Sequence, residues 1–142
     1  MGKESKMIDK SNEVFDRTMT YVINSIPGLT EENFGSDETS APPTFPFIQI
    51  VQTRDITYKD GQDDRPQENF AILLFQVEVF SNKAEGKRSE CRKIISVVDD
   101  FMHRMNFSRE SGAFVENQSN NSIARYVATY SVLANENYFY RR

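Results

Sequence analysis

The strongest hydrophobic pattern in the chain lies between Phe70 and Phe80. Ala71, Leu73, Phe75, Val77 and Val79 put five apolar side chains on one side of an extended segment, while the positions between them begin apolar at Phe70, Ile72 and Leu74 and turn polar at Gln76 and Glu78. Side chains of a strand alternate between faces, so this segment predicts a central strand with one face packed on helices and the other apolar for half its length. After the polar joint Ser81-Asn82-Lys83 the period changes. Cys91, Ile94, Ile95, Val98, Phe101, Met102 and Met105 fall within an arc of about 120° on a helical wheel and predict a core-facing helix ending at Asn106. Asn82 and Glu85 have capping-box spacing, so the helix is expected to start there, with Gly86 weakening its first turn.

A second helical stripe precedes these elements: Ile8, Phe15, Met19, Val22 and Ile26, flanked by Val14 and Ile23. Asp9 or Ser11 is placed to cap it, and Pro27-Gly28 ends it. Leu29 to Thr44 reads as a long connection, with one helical turn at Thr30-Glu31-Glu32-Asn33 and then Gly35, Ser36, Asp37, Glu38 and Pro42-Pro43 as loop. Phe45 to Tyr58 predicts a first strand, built on Phe47, Ile48, Ile50, Val51 and Ile56. Tyr58 to Gln67 is a long, charged hairpin tip. Gly112 to Asn117 and Ile123 to Leu133 supply a third and a fourth strand, joined by the amide-rich turn Gln118 to Ser122. The elements sum to an α+β chain of two helices and four strands, with a long β-hairpin loop. The 142 residues are expected to form a single domain, with flexible arms expected at residues 1–7 and 136–142.

Composition narrows the function classes. A net charge of −4, with acidic groups concentrated in loops, does not give the clustered positive footprint of a nucleic-acid grip. No charged-then-apolar leader opens the sequence, and no apolar run reaches the ~20 residues of a membrane helix. A single cysteine, Cys91, cannot form an internal disulfide and fits a reducing cytoplasm. Its place on an apolar stripe marks it as a buried small hydrophobe.

Candidate chemistry is sparse. Asp99 and His103 are helix neighbours four residues apart, a spacing open to acid–base work but ordinary for a surface ion pair. One His and one Cys make no zinc ligand set. Asp60, Asp63 and Asp64 lack EF-hand spacing, and no glycine-rich phosphate loop is present. The expectation is a protein without catalytic residues, cofactor or metal. Lys87, Arg88, Arg92, Lys93 and Arg104 lie off the apolar stripe of the second helix, either as a solvated face or as a surface for an acidic partner. The apolar start of the strand's second face is covered either by the Leu29–Thr44 loop or by a neighbouring subunit.

The unit from Leu74 to Arg109 resembles a recurring pattern in small structural proteins of tailed bacteriophages: strand Leu74 to Phe80, joint Ser81-Asn82-Lys83, helix Ser89 to Met105 with Ile94, Val98, Asp99 and Phe101, then Asn106-Phe107-Ser108-Arg109. Phe45-Pro46-Phe47-Ile48 before it and Arg125 to Tyr130 after it fit the same layout. The family is the tail terminator, also called the tail-completion or minor capsid protein, of long-tailed phages.

The resemblance implies an α+β fold, a mostly antiparallel four-stranded sheet with two helices packed on one face, and a homohexameric ring that caps the tail tube, ends its polymerisation and joins it to the head connector, with DNA passing through the lumen without specific binding. It implies a virion protein assembled in the host cytoplasm, with the major tail tube protein and the head connector or stopper protein as partners. The alternatives are a head-closure (stopper) protein at the same junction, or a small cytoplasmic binding module unrelated to virions. The interface residues expected on physical grounds are Tyr58, Lys59, Asp60, Asp63, Asp64 and Arg65 in the hairpin, Phe70, Ile72 and Leu74 on the half-apolar face, and Tyr138, Phe139, Tyr140, Arg141 and Arg142 in a terminal arm. Ordinary intrachain packing is the competing reading for each group.

Overall fold

The computed structural model describes residues 8–37, 41–57, 70–117 and 120–142. Two helices, α1 (Ser11–Ser25) and α2 (Lys87–Arg104), accompany six strands: β1 (Phe34–Gly35), β2 (Phe47–Thr57), β3 (Ala71–Ser81), β4 (Ser108–Val115), β5 (Ala124–Ala134) and β6 (Phe139–Tyr140). The strands form one sheet in the order β1-β2-β3-β5-β4, with β6 also pairing with β5.

As expected from its pattern, β3 is central, antiparallel to β2 on one side and to β5 on the other. Ala71, Leu73, Phe75, Val77 and Val79 are all buried against the helices. Val14 and Val22 of α1 and Cys91, Ile94, Ile95, Val98 and Met102 of α2 meet them in one continuous core, which Phe107, Ala128, Tyr130 and Val132 extend. A fully buried aliphatic or aromatic side chain is stabilised by roughly 1.5–3 kcal/mol relative to exposure, so this layer carries the fold. Phe75 and Phe107 meet edge to face at 5.5 Å near its centre.

The sheet departs from the expected four antiparallel strands in two places. The segment read as loop contributes β1, which runs parallel to β2 with Phe34 opposite Ile48 and Gly35 opposite Gln49. The preceding turn holds it there. Thr30 and Asn33 cap the 3-10 turn Glu31–Asn33 reciprocally, and the Asn33 amide donates to the Pro46 carbonyl at 2.8 Å. The C-terminal segment contributes β6, with Tyr140 opposite Leu133 and Phe139 opposite Ala134. Two-residue strands have no periodicity to read, which is why neither shows in the pattern of apolar positions.

The other corrections concern boundaries. Helix α2 begins at Lys87 rather than Asn82. Gly86 is its N-cap, in a left-handed conformation (φ 78°) without a side-chain cap, and the first helical bond runs from the Glu90 amide to the Gly86 carbonyl at 2.9 Å. In place of the expected capping box, Ser81 Oγ accepts from the Lys83 amide and donates to the Glu90 carboxylate. Strand β4 starts at Ser108, four residues before the expected Gly112. A register shift between Arg109 and Ser111 breaks its alternation and hides its first half from a period-two reading.

Candidate assembly surface

Both helices lie on one side of the sheet. Among the described residues no helix covers the other side, which carries Val51, Arg54 and Ile56 of β2, Ile72, Leu74, Gln76, Glu78 and Phe80 of β3, and Arg125, Val127, Thr129, Ser131 and Leu133 of β5. The two ends of this open face differ in character.

At one end the surface is apolar. Ile72 sits between Ile56 and Leu133 across the sheet, with Leu74 next along β3. The Phe70 ring meets the Tyr140 ring at 5.9 Å, and Tyr138 stands 6.3 Å from Tyr140. Ile56 is 37% exposed, Tyr138 64% and Tyr140 39%, so these side chains remain open to solvent. At the other end Phe47, Phe80 and Ile123 form a small separate cluster under Phe45. Between the two ends, Glu78, only 2% exposed, receives Nε and Nη2 of Arg125 on a single oxygen. On the flank, Glu110 accepts from Ser131 Oγ at 2.7 Å and pairs with Arg142 at 3.1 Å.

The residues expected at an interface therefore divide. Phe70, Ile72, Leu74, Tyr138 and Tyr140 come together at the apolar end of the open face. Phe139, between the two tyrosines, turns to the opposite side and packs on Phe107 at 5.4 Å, with the Lys10 ammonium 6.0 Å from its ring centroid. Arg141 donates to the His103 carbonyl at 3.1 Å, and Arg142 closes the Glu110 pair. A turn at Asn135, whose side chain accepts from the Asn137 and Tyr138 amides at 3.0 and 2.7 Å, folds this segment back on its own sheet. Tyr58, Lys59, Asp60, Asp63, Asp64 and Arg65 lie outside the described residues. Ile56 and Leu133 join the patch without having been singled out in the sequence. Their strands are legible, but the register that sets them beside Ile72 is not.

The titratable groups of α2 are engaged locally. His103 Nδ1 lies 3.3 Å from an Asp99 carboxylate oxygen and 2.8 Å from the Asp99 carbonyl. The other Asp99 carboxylate oxygen accepts from the Tyr130 hydroxyl at 2.9 Å, with Arg109 at 3.7 Å. Burial first, and then the negative Asp99, push the Tyr130 hydroxyl above its ordinary pKa. Cys91 is fully buried, with Sγ 3.5 Å from the Val79 carbonyl, and burial followed by the nearby Glu90 charge pushes its thiol up to about 12. Thiolate is the reactive form. Cys91 is therefore expected to stay unlabelled by an aromatic disulfide reagent at pH 8 in the native chain and to label fully in urea; rapid labelling of the native chain would contradict this environment.

Among the described residues no group of three or more His, Cys, Asp or Glu side chains is arranged to hold a metal ion. None of their helices is long and apolar enough to cross a membrane. Neither the family models nor the curated proteins contain a match to this chain.

Proposed function

We propose that this chain is a phage tail terminator: a structural subunit that forms a ring on the end of the tail tube, stops its growth and presents the surface that joins the head connector. The observation that carries the reading is the apolar end of the open sheet face. A domain of this size has a complete core on the helix side and still leaves, among the described residues, Ile56, Tyr138 and Tyr140 exposed beside the half-buried Phe70, Ile72, Leu74 and Leu133. Contiguous exposed apolar surface on an otherwise polar protein marks a contact surface. The α+β frame, with its mainly antiparallel sheet and both helices on one face, is the layout that the resemblance implies. The partners are further copies of the chain, the tail tube protein and the head connector.

The mechanism is geometric rather than catalytic. One side of the ring matches the last ring of tube subunits, and the other offers no equivalent site for another tube subunit. Electron microscopy of lysates from a phage in which this sequence is disrupted tests the reading. We expect tails of abnormal length unattached to heads. Normal tails joined to heads would overturn it, and tails of normal length that fail to join would reassign the chain to the stopper role.

A further inference from the structure

A basic cleft and an acidic corner stand at opposite edges of the sheet. The cleft, about 330 Å³, lies between the start of α2, the end of β4 and the start of β5, and its lining includes Lys87, Arg88, Phe114, Glu116 and Arg125. Arg88 and Arg92 hold their guanidinium groups 4.7 and 5.0 Å from the centroid of the same Phe114 ring. Arg88 lines the cleft, and Arg92, one helical turn on, stands over the same ring. Arg125 is neutralised by Glu78, and Glu116 is the acid of the lining. Lys87, whose ammonium donates to the Ser122 carbonyl at 3.1 Å, forms no ion pair with a described carboxylate, and neither do Arg88 and Arg92. An anionic group seated in the cleft would meet Lys87 and Arg88, which no described carboxylate neutralises.

The acidic corner carries Glu31 and Glu32 on the capped 3-10 turn and Asp37 just beyond β1. All three are exposed and form no ion pair among the described residues. The corner is held firmly, because Thr44 Oγ1 donates to the Glu32 carbonyl at 2.7 Å and Asn33 is tied to Pro46.

Strand register relates the two features. Phe34, Ile48, Val79, Tyr126 and Phe114 form one row straight across β1, β2, β3, β5 and β4. The acidic turn immediately precedes the first residue of that row, and the paired arginines lie over the last. Four interstrand gaps of about 4.8 Å separate the row's ends by about 19 Å, more than twice the ~8 Å screening length at physiological salt. The corner and the cleft of one molecule therefore cannot neutralise each other.

We infer that the acidic corner of one copy seats in the basic cleft of the next. The partner is a second copy because the complementary charges stand at the same level on opposite edges of one sheet. A two-fold contact at either edge would set acid against acid or base against base. The contact is therefore heterologous, head to tail, the type that generates rings when its rotation closes. It deepens the ring assembly proposed above and rests on that reading for its biological setting.

Charge exchange tests it. The variants are E31K/E32K and R88E/R92E, all at exposed positions, followed by sedimentation equilibrium at low and at physiological salt. Wild-type chain is expected to associate with increasing concentration and to dissociate as salt is added. Each variant alone is expected to associate at least about tenfold more weakly, and an equimolar mixture of the two should restore association, because each then offers the other a complementary face.

Retained association in either variant, or a mixture that stays monomeric, would overturn the inference. So would a wild-type chain that remains monomeric at low salt up to millimolar concentration. Wild-type monomer that instead binds an oligonucleotide through Arg88 and Arg92 would overturn it in favour of a nucleic-acid contact. A restored mixture from a chain whose disruption leaves phage tails normal would sink the terminator reading alone.

Discussion

Replacing Arg125 with alanine is expected to cost the fold about 3–5 kcal/mol, the range for removing one partner of a buried ion pair. Glu78 lies mid-strand on β3, between Gln49 and Val127 of the neighbouring strands, and its side chain is 3% exposed. Both donors of the Arg125 fork meet one of its oxygens, so alanine would leave an ionised carboxylate with little access to water. The arginine, 25% exposed, also lies over the Phe80 ring at 5.8 Å, and truncation loses that contact too. Urea denaturation should show a lower midpoint with an unchanged slope. The matched control is E78L/R125L. Removing both charges together is neutral or stabilising when the replacements pack, so the double variant is expected to recover most of the loss. A loss below about 1 kcal/mol for R125A would mean that Glu78 is solvated or otherwise compensated in the folded chain.

The same pair shows where sequence reading stops. The alternation along β3 announces Glu78 on the second face, and the alternation along β5 announces Arg125, but nothing in either strand says that they meet. Pairing is a property of register, and register is set by the whole sheet. The long, regular elements are legible for the opposite reason. Each of α1, α2, β2, β3 and β5 repeats its apolar positions often enough for the period to emerge, although the buried face of α1 runs through Val14, Thr18 and Val22 and leaves the expected Phe15 and Met19 half-buried, and Ile56 of β2 stays exposed. What escapes is short or aperiodic: β1 and β6 have two residues each, and β4 is interrupted near Glu110. At the start of α2 the expected Asn82–Glu85 box is replaced by Ser81, six residues before the helix, whose hydroxyl accepts from the Lys83 amide and donates to Glu90. At the terminus, three consecutive aromatics look alike in sequence and divide in the fold. Phe139 packs half-buried against the core, while Tyr138 and Tyr140 face outward, the alternation of a strand too short to be recognised by it.

That division makes the apolar end of the open face separable from the fold it stands on. The double variant I56E/Y138E is expected to fold like wild type and to abolish assembly. Both side chains are exposed, and surface changes away from special features stay within about 0.5 kcal/mol, so the melting temperature should move by only a few degrees. If the patch is buried between subunits, each glutamate must be desolvated without a partner or must neutralise. A cost of at least about 3 kcal/mol per contact corresponds to more than a hundredfold weaker association, and a ring repeats that loss at every joint. Supplied in trans to a phage lacking its own copy, wild-type chain should restore joined heads and tails, and I56E/Y138E should not. F139A is the contrasting variant. Its half-buried ring packs on the core residue Phe107, so it is expected to lower the melting temperature and to fail through instability rather than through lost contact. Full rescue by a folded I56E/Y138E chain would show that the open face is not where copies or partners meet, and would leave the charged sheet edges to carry assembly by themselves.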